Sequence, residues 1–160
     1  MSIARFERVS EGQYQKDTEG FPCAMDLQSI PLPRRATAGS AGYDFVVPVD
    51  VTIPPGKTVL VPTGIRACIE RGWMLMICPR SSLGRKWGLS LANTMGIIDS
   101  DYYGADNEGH ILLALRHQMD TEVVIRKGER ICQGIFLPVG LAEEEENGKV
   151  RTGGYGSTGA

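Results

Sequence analysis

The chain has 160 residues, 42% of them hydrophobic, and a formal net charge of −2. That length supports one compact domain whose core needs no disulfide staples, and the charge excludes the broad basic field of a nucleic-acid binder. No run is long and apolar enough to span a bilayer, and the opening MSIARFERVS carries Arg5, Glu7 and Arg8 without the apolar stretch of a secretory signal.

Residues 10–30 read as an irregular, polar leader. Short runs rich in Val and Ile then alternate with Gly and Pro. YDFVVPVDV (43–51), KTVLVPTGIRACI (57–69) and WMLMIC (73–78) predict strands, as do HILLALRH (110–117), TEVVI (121–125) and RICQGIFLPV (130–139). PPGK (54–57) and RKGE (126–129) predict turns. RSSLGRK (80–86) predicts one short helix with a serine as its N-cap. SLANTMGIIDSDYYG (90–104) predicts strand, turn, strand, with NTMG (93–96) as a hairpin tip. Closely spaced strands argue an all-β sandwich, jelly roll or barrel. The β-rich domain spans 1–142. EEEENGK (143–149) lies in an acidic linker over 143–150, and a Gly-rich arm occupies 151–160. The linker, extended, reaches ~30 Å, far enough to work on another subunit.

The four cysteines, Cys23, Cys68, Cys78 and Cys132, form no C-x-x-C pair, and no His lies at metal-ligand spacing. Cys68, Cys78 and Cys132 sit in apolar runs, which predicts buried free thiols and a cytoplasmic location.

Several stretches carry chemistry. In RTGGYGSTGA, glycine N–H groups with Ser157, Thr158 and Arg151 suit an anion, and Tyr155 offers a flat face to a base. The same stretch also reads as a mobile C-terminus. In CPRSSLGRK, Arg80, Ser81 and Ser82 leave an apolar strand for a helix start, which is either a phosphate platform or a charged turn. GSAGYDF places Asp44 behind small residues, where it holds a metal through water or caps a turn. A turn at Asn93–Gly96 offers backbone groups that read the edge of a base. Asp99, just past the apolar Ile97 and Ile98 and expected where water is scarce, is either a general base held beside a polyphosphate or a surface carboxylate.

AGYDF, PRSSLGRK, NTMGIIDSDYYG, KGERICQGIF and RTGGYGSTG, in that order, resemble the five motifs of the homotrimeric dUTPase family, from about Leu32 to Ala160. The resemblance implies a jelly-roll-like domain in a threefold homotrimer whose active sites are each built from three chains. It implies hydrolysis of dUTP to dUMP and pyrophosphate with Mg²⁺ on the triphosphate. Asp99 matches the water-activating aspartate, directed at the α-phosphorus. Tyr102 matches the tyrosine that packs on deoxyribose and leaves no space for a ribose 2′-hydroxyl. Asn93, Gly96, Ile97 and Ile98 match the uracil-reading segment. Arg80, Ser81 and Ser82 match the phosphate-binding segment, and Gln133 a glutamine near the phosphates and water. Asp44 matches an aspartate that holds the metal through water. Tyr155 stands where an aromatic stacks on uracil, followed by Gly156, Ser157 and Thr158 as phosphate clamps, with Arg151 toward the γ-phosphate.

Two departures stand out. The spacing from Arg151 to Tyr155 is one residue short of the family pattern. YGADNEGH (103–110) carries about five extra residues and predicts an exposed acidic loop; Leu112 then matches a nucleoside-contacting position. The related dCTP deaminases share RSSLGR but lack the IDSDY segment. A second role, binding a repressor-type regulator, would use the 103–110 loop.

Overall fold

Alternation of apolar residues sets the strand faces of this chain, and Pro or Gly decides where each strand stops. The computed structural model describes residues 2–142. In chain order the elements are β1 (Ala4–Arg8), α1 (Glu11–Thr18), a 3-10 turn (Leu27–Ser29), β2 (Arg34–Arg35), β3 (Tyr43–Val46), β4 (Val51–Ile53), β5 (Thr58–Pro62), β6 (Ile65–Ile69) and β7 (Trp73–Pro79). Then come α2 (Ser82–Trp87), β8 (Leu89–Leu91), β9 (Gly96–Ile98), a second 3-10 turn (Ser100–Gly104), β10 (Leu112–His117), β11 (Val123–Ile125) and β12 (Arg130–Pro138). The fold is mostly β, as the pattern predicts.

Every ladder is antiparallel. One sheet runs β2-β3-β12-β7-β9 and another β5-β10-β8, while β1 pairs with β6 and β4 with β11. Phe45, Ile53, Leu75, Ile77, Leu115, Ile125 and Ile131 from these ladders are fully buried, each contributing roughly 1.5–3 kcal/mol through lost contact with water. Phe6, Tyr43, Phe45 and Phe136 close one end, with Phe6 5.5–5.6 Å from each of the other three ring centroids. Among the described residues no helix is long and apolar enough to cross a membrane.

The structure corrects four expectations. The run 43–51 is two strands, because Pro48 cannot donate to a ladder and the chain changes partner from β12 to β11. The run 57–69 also divides, at Pro62–Gly64, where Gly64 has φ +73°. The leader is ordered: β1 precedes it, and α1 lies within it, capped by the Ser10 hydroxyl, which accepts from the Gln13 N–H at 3.2 Å. Among the described residues there are therefore two short α-helices where the pattern predicts one. Finally, β8 and β9 do not form a hairpin. β8 pairs with β10 and β9 with β7, so residues 92–95 turn a corner between two sheets.

Candidate active site

That corner is the first half of the site. Thr94 takes a left-handed φ of +67°, and the Met95 N–H donates to the Asn93 carbonyl at 2.7 Å. Gly96 opens β9 opposite Ile77 of β7, and the Asn93 amide lies near it. Asn93, Gly96, Ile97, Ile98, Tyr102 and Leu112 line one cavity of about 300 Å³, closed by Ile77, Leu91, Leu113 and Ala114. That is the size and apolar character of a small-molecule site. Asp99 follows β9 directly and is the N-cap of the 3-10 turn that carries Tyr102; its carbonyl accepts from the Tyr102 N–H at 3.2 Å. Asp99 is exposed, not sheltered from water as its apolar neighbours suggest, because the chain leaves the sheet one residue earlier.

The second half lies where β7 ends. The Arg80 N–H donates to the Ile131 carbonyl at 2.9 Å, so the arginine is anchored before α2 begins. Ser81 occupies the N-cap position in a helical conformation and makes no side-chain cap, contrary to the expected serine cap. A groove beside α2 is lined by Arg80, Ser82, Lys86, Trp87, Lys127, Gly128, Glu129 and Arg130. It is strongly cationic and suits anionic oxygens. The motif pattern does not single out Lys86, Lys127 and Arg130; Lys127 and Arg130 flank the turn in KGER, and Lys86 ends PRSSLGRK. The cavity and the groove share no lining residue.

Asp44 on β3 faces this groove. Its oxygens lie 3.1 Å from Arg80 Nε and 3.2 Å from Arg130 Nη1, and the side chain is 11% exposed. A bulge in β12 between Arg130 and Cys132 sets Arg130 in reach. Among the described residues no group of three or more His, Cys, Asp or Glu could hold a metal. A lone carboxylate fits Mg²⁺ held mainly by phosphates and water, not a protein-built cage. Gln133 pairs in register with Asp44 on one side and Cys78 on the other. Its amide lies where a Cβ on Gly42 would fall, so only glycine leaves it room.

All four cysteines are free; Cys132 is buried, Cys68 and Cys78 are half-buried and Cys23 is exposed. Burial pushes the Cys132 thiol up to about 12 and raises Cys78 as well, so neither supplies a thiolate at neutral pH.

The 103–110 segment is not the exposed loop its composition predicts. Ala105, Gly109 and His110 are buried, and Asn107 and Glu108 are half-buried. The Glu108 carboxylate accepts from the Ser10 N–H at 2.8 Å and from its hydroxyl at 2.6 Å. Tyr103 donates its hydroxyl to Glu7 at 2.6 Å, and the Arg66 guanidinium lies 3.9 Å above its ring. The segment is docked on β1, α1 and β6, and Glu108 is bonded to Ser10 at the start of α1 while Asp106 stays exposed. The sequence offers no sign of this, since each half of the contact reads alone as solvated. Arg151, Tyr155, Gly156, Ser157 and Thr158, like the 143–150 linker, lie outside the described residues.

Comparison with known proteins bears on the family and the fold. The dUTPase family model matches residues 28–159. The deoxyuridine 5′-triphosphate nucleotidohydrolase of Lactococcus lactis subsp. lactis is 48% identical over 134 residues, 82% of this chain and 89% of that one. Its counterpart from Ectopseudomonas mendocina is 39% identical over 141 residues, 83% of this chain and 90% of that one. The crystal structure of the dUTPase from Streptococcus mutans is similar with a TM-score of 0.73 at 39% identity, covering 87% of this chain and 98% of that one. A mutant dUTPase from phage phi11 of S. aureus, described with a structural Mg(II) ion, shares the fold at 16% identity with a TM-score of 0.69, covering 91% of this chain and 96% of that one.

Proposed function

The chain belongs to the dUTPase family and hydrolyses dUTP, and we propose that it does so by a water molecule which Asp99, as general base, directs at the α-phosphorus. The water oxygen forms the new bond to phosphorus, its proton passes to Asp99, and the bond to the bridging oxygen breaks, releasing pyrophosphate and leaving dUMP. The observation that supports this most is continuity: the strand that walls the cavity, β9, ends directly in Asp99.

In this reading Asn93 and the backbone of Gly96, Ile97 and Ile98 read uracil, and Leu112 contacts the nucleoside. A rigid corner refuses the thymine methyl by clash, where passive omission from an apolar pocket yields only about 1–3 kcal/mol. Cytosine leaves buried hydrogen-bonding groups unpaired. Tyr102 packs on deoxyribose. Arg80, Ser81 and Ser82 hold phosphates, with Gln133 near the attacked phosphorus. Charge on the triphosphate is spread, so positioning and neutralisation do most of the work. Asp44 would hold Mg²⁺ through water, and the ion would add to that neutralisation. The Arg151–Thr158 arm, with Tyr155 on the base and Gly156, Ser157 and Thr158 on phosphate, closes over the nucleotide.

Separate cavity and groove on one chain support a homotrimer in which neighbours complete each site. The deaminase alternative is less favoured, since this chain carries Asp99 and Tyr102 in the IDSDY segment that those relatives lack. A regulator-binding role through 103–110 keeps only Gly104 and Asp106 as exposed positions and requires the segment to undock.

Pyrophosphate release is measured from dUTP, dTTP, dCTP and UTP with Mg²⁺. Turnover of dUTP alone is expected, and Asp99→Asn cuts it by roughly 10²–10⁴-fold. Ammonia release from dCTP, or an unaffected Asp99→Asn enzyme, overturns the reading.

A further inference from the structure

Tyr102 is carried by a five-residue 3-10 turn, a backbone element with weak hydrogen-bond geometry of its own. Its hydroxyl supplies part of what fixes the ring. That hydroxyl donates to the His110 carbonyl at 2.8 Å and accepts from Asn107 Nδ2 at 2.8 Å. Asn107 is itself oriented, because its Oδ1 accepts from the Gly109 N–H at 3.3 Å. The return of the chain from Asn107 to His110 demands glycine at 109. There φ is +70°, and a Cβ would stand 2.7 Å from the Tyr102 carbonyl oxygen and 2.8 Å from Tyr103 Cα.

The His110 carbonyl is held in turn by a fully buried imidazole. Nε2 accepts from the Gly64 N–H at 2.7 Å, so the ring proton sits on Nδ1. Nδ1 faces Asp17 Oδ2 of α1 at 2.5 Å, and Gln13 donates to the same oxygen at 2.7 Å. A continuous chain of polar contacts therefore runs from α1 through His110 and Asn107 to the Tyr102 ring, which walls the cavity. Its links lie in the leader and in the segment that departs from the family pattern.

We infer that Asn107, backed by the Asp17–His110 pair, is a positioning residue for Tyr102 and sets how strictly the site rejects a ribose 2′-hydroxyl. The inference rests on the reading of Tyr102 as the sugar platform. Exclusion of one hydroxyl is a matter of sub-ångström fit, and a ring freed from its hydroxyl partners yields that space. Uracil selection does not depend on this chain, because the corner at Asn93–Gly96 is held by other contacts.

The test compares kcat/KM for dUTP, UTP and dTTP in Asn107→Ala, Tyr102→Phe and Tyr102→Ala proteins of full length. Asn107→Ala removes the donor, and Tyr102→Phe removes that bond together with the one to the His110 carbonyl while keeping the ring. Each is expected to raise the UTP-to-dUTP ratio about tenfold, the worth of one net hydrogen bond, with the dTTP-to-dUTP ratio unchanged. The Asn107→Ala/Tyr102→Phe double variant is expected to match Tyr102→Phe, since no Asn107 bond to the ring is left to lose. If Tyr102→Ala raises the UTP ratio while Tyr102→Phe and Asn107→Ala leave it unchanged, the positioning role fails and the sugar platform stands. If Tyr102→Ala itself leaves the ratio unchanged, the platform reading fails and the inference falls with it. Should Asn107→Ala not fold, Asn107→Ser, which also removes the Nδ2 donor, carries the same decision.

Discussion

Arg80 and Asp44 are ion-paired across β12, with Nε 3.1 Å from Oδ1, and Arg130 holds the other carboxylate oxygen at 3.2 Å. The carboxylate is thus a counter-charge to two arginines that line the cationic groove, and it is also the candidate outer ligand of Mg²⁺. Asp44→Asn keeps the shape and removes the charge. The Mg²⁺ concentration giving half-maximal pyrophosphate release is expected to rise about tenfold, the usual scale for an outer-shell ligand. Saturating Mg²⁺ is expected to restore most activity. An unchanged Mg²⁺ requirement would assign Asp44 to the arginines alone.

Two glycines separate a site effect from a core effect. At Gly42 a new Cβ falls on the Gln133 amide, the flexible end of a long side chain, which swings aside. Gly42→Ala is therefore expected to keep its melting temperature within a few degrees and to lower kcat for dUTP as much as Gln133→Ala does, roughly 10–100-fold. At Gly134 the Cβ stands 2.7 Å from Leu75 Cδ1 and 3.0 Å from Phe45 Cε2, both on buried side chains. Gly134→Ala is expected to cost about 1–3 kcal/mol of stability by overpacking, measured by denaturant unfolding.

What the sequence makes legible follows from locality. Val- and Ile-rich runs bounded by Pro and Gly mark the strands, since alternation and breakers act within a few residues. PPGK and RKGE form turns as expected, with Gly56 and Gly128 at positive φ. The cavity residues from Asn93 to Tyr102 and then Leu112 come together because β9 and the following turn are consecutive. The pairing of β9 with β7 rather than β8 is not legible, because a four-residue link fits a hairpin or a sheet corner equally well. Helix α1 hides for another reason. EGQYQKDT buries only Tyr14, and its stability comes from the Ser10 cap and from distant partners such as His110. The acidic 103–110 segment and the polar leader each look solvated alone; paired, they bury each other.

That pairing predicts acid sensitivity. Hydrogen bonding from Tyr103, aided by Arg5 and Arg66, holds the Glu7 carboxyl at about 2 against an ordinary 4.5. Its folded pKa is depressed, so its contribution to stability is present above about 4.5 and is lost as pH falls toward about 2. Glu108 is lowered by its bonds from Ser10, and burial lowers His110 from 6.5, so both act in the same direction. Protection of the amides of residues 105–110, corrected for the intrinsic exchange rate, is expected to fall as pH drops below about 4.5 while β7 and β12 stay protected. Tyr103→Phe is expected to shrink the loss of stability between about 4.5 and about 2. Exchange that is uniform across the chain would show that the docked segment does not open separately.

His117 ends β10 opposite Leu89, 1% exposed, and neither ring nitrogen has a hydrogen-bond partner among the described residues. A buried donor and acceptor left unpaired cost about 1–3 kcal/mol. The cavity and the groove that make up the candidate site do not include this side chain. His117→Leu keeps a similar volume and removes both polar atoms. It is expected to raise the melting temperature by about 3–6 °C, measured at neutral pH, with dUTP turnover unchanged. A fall instead would mean that water or a neighbouring chain satisfies the imidazole in the assembled protein.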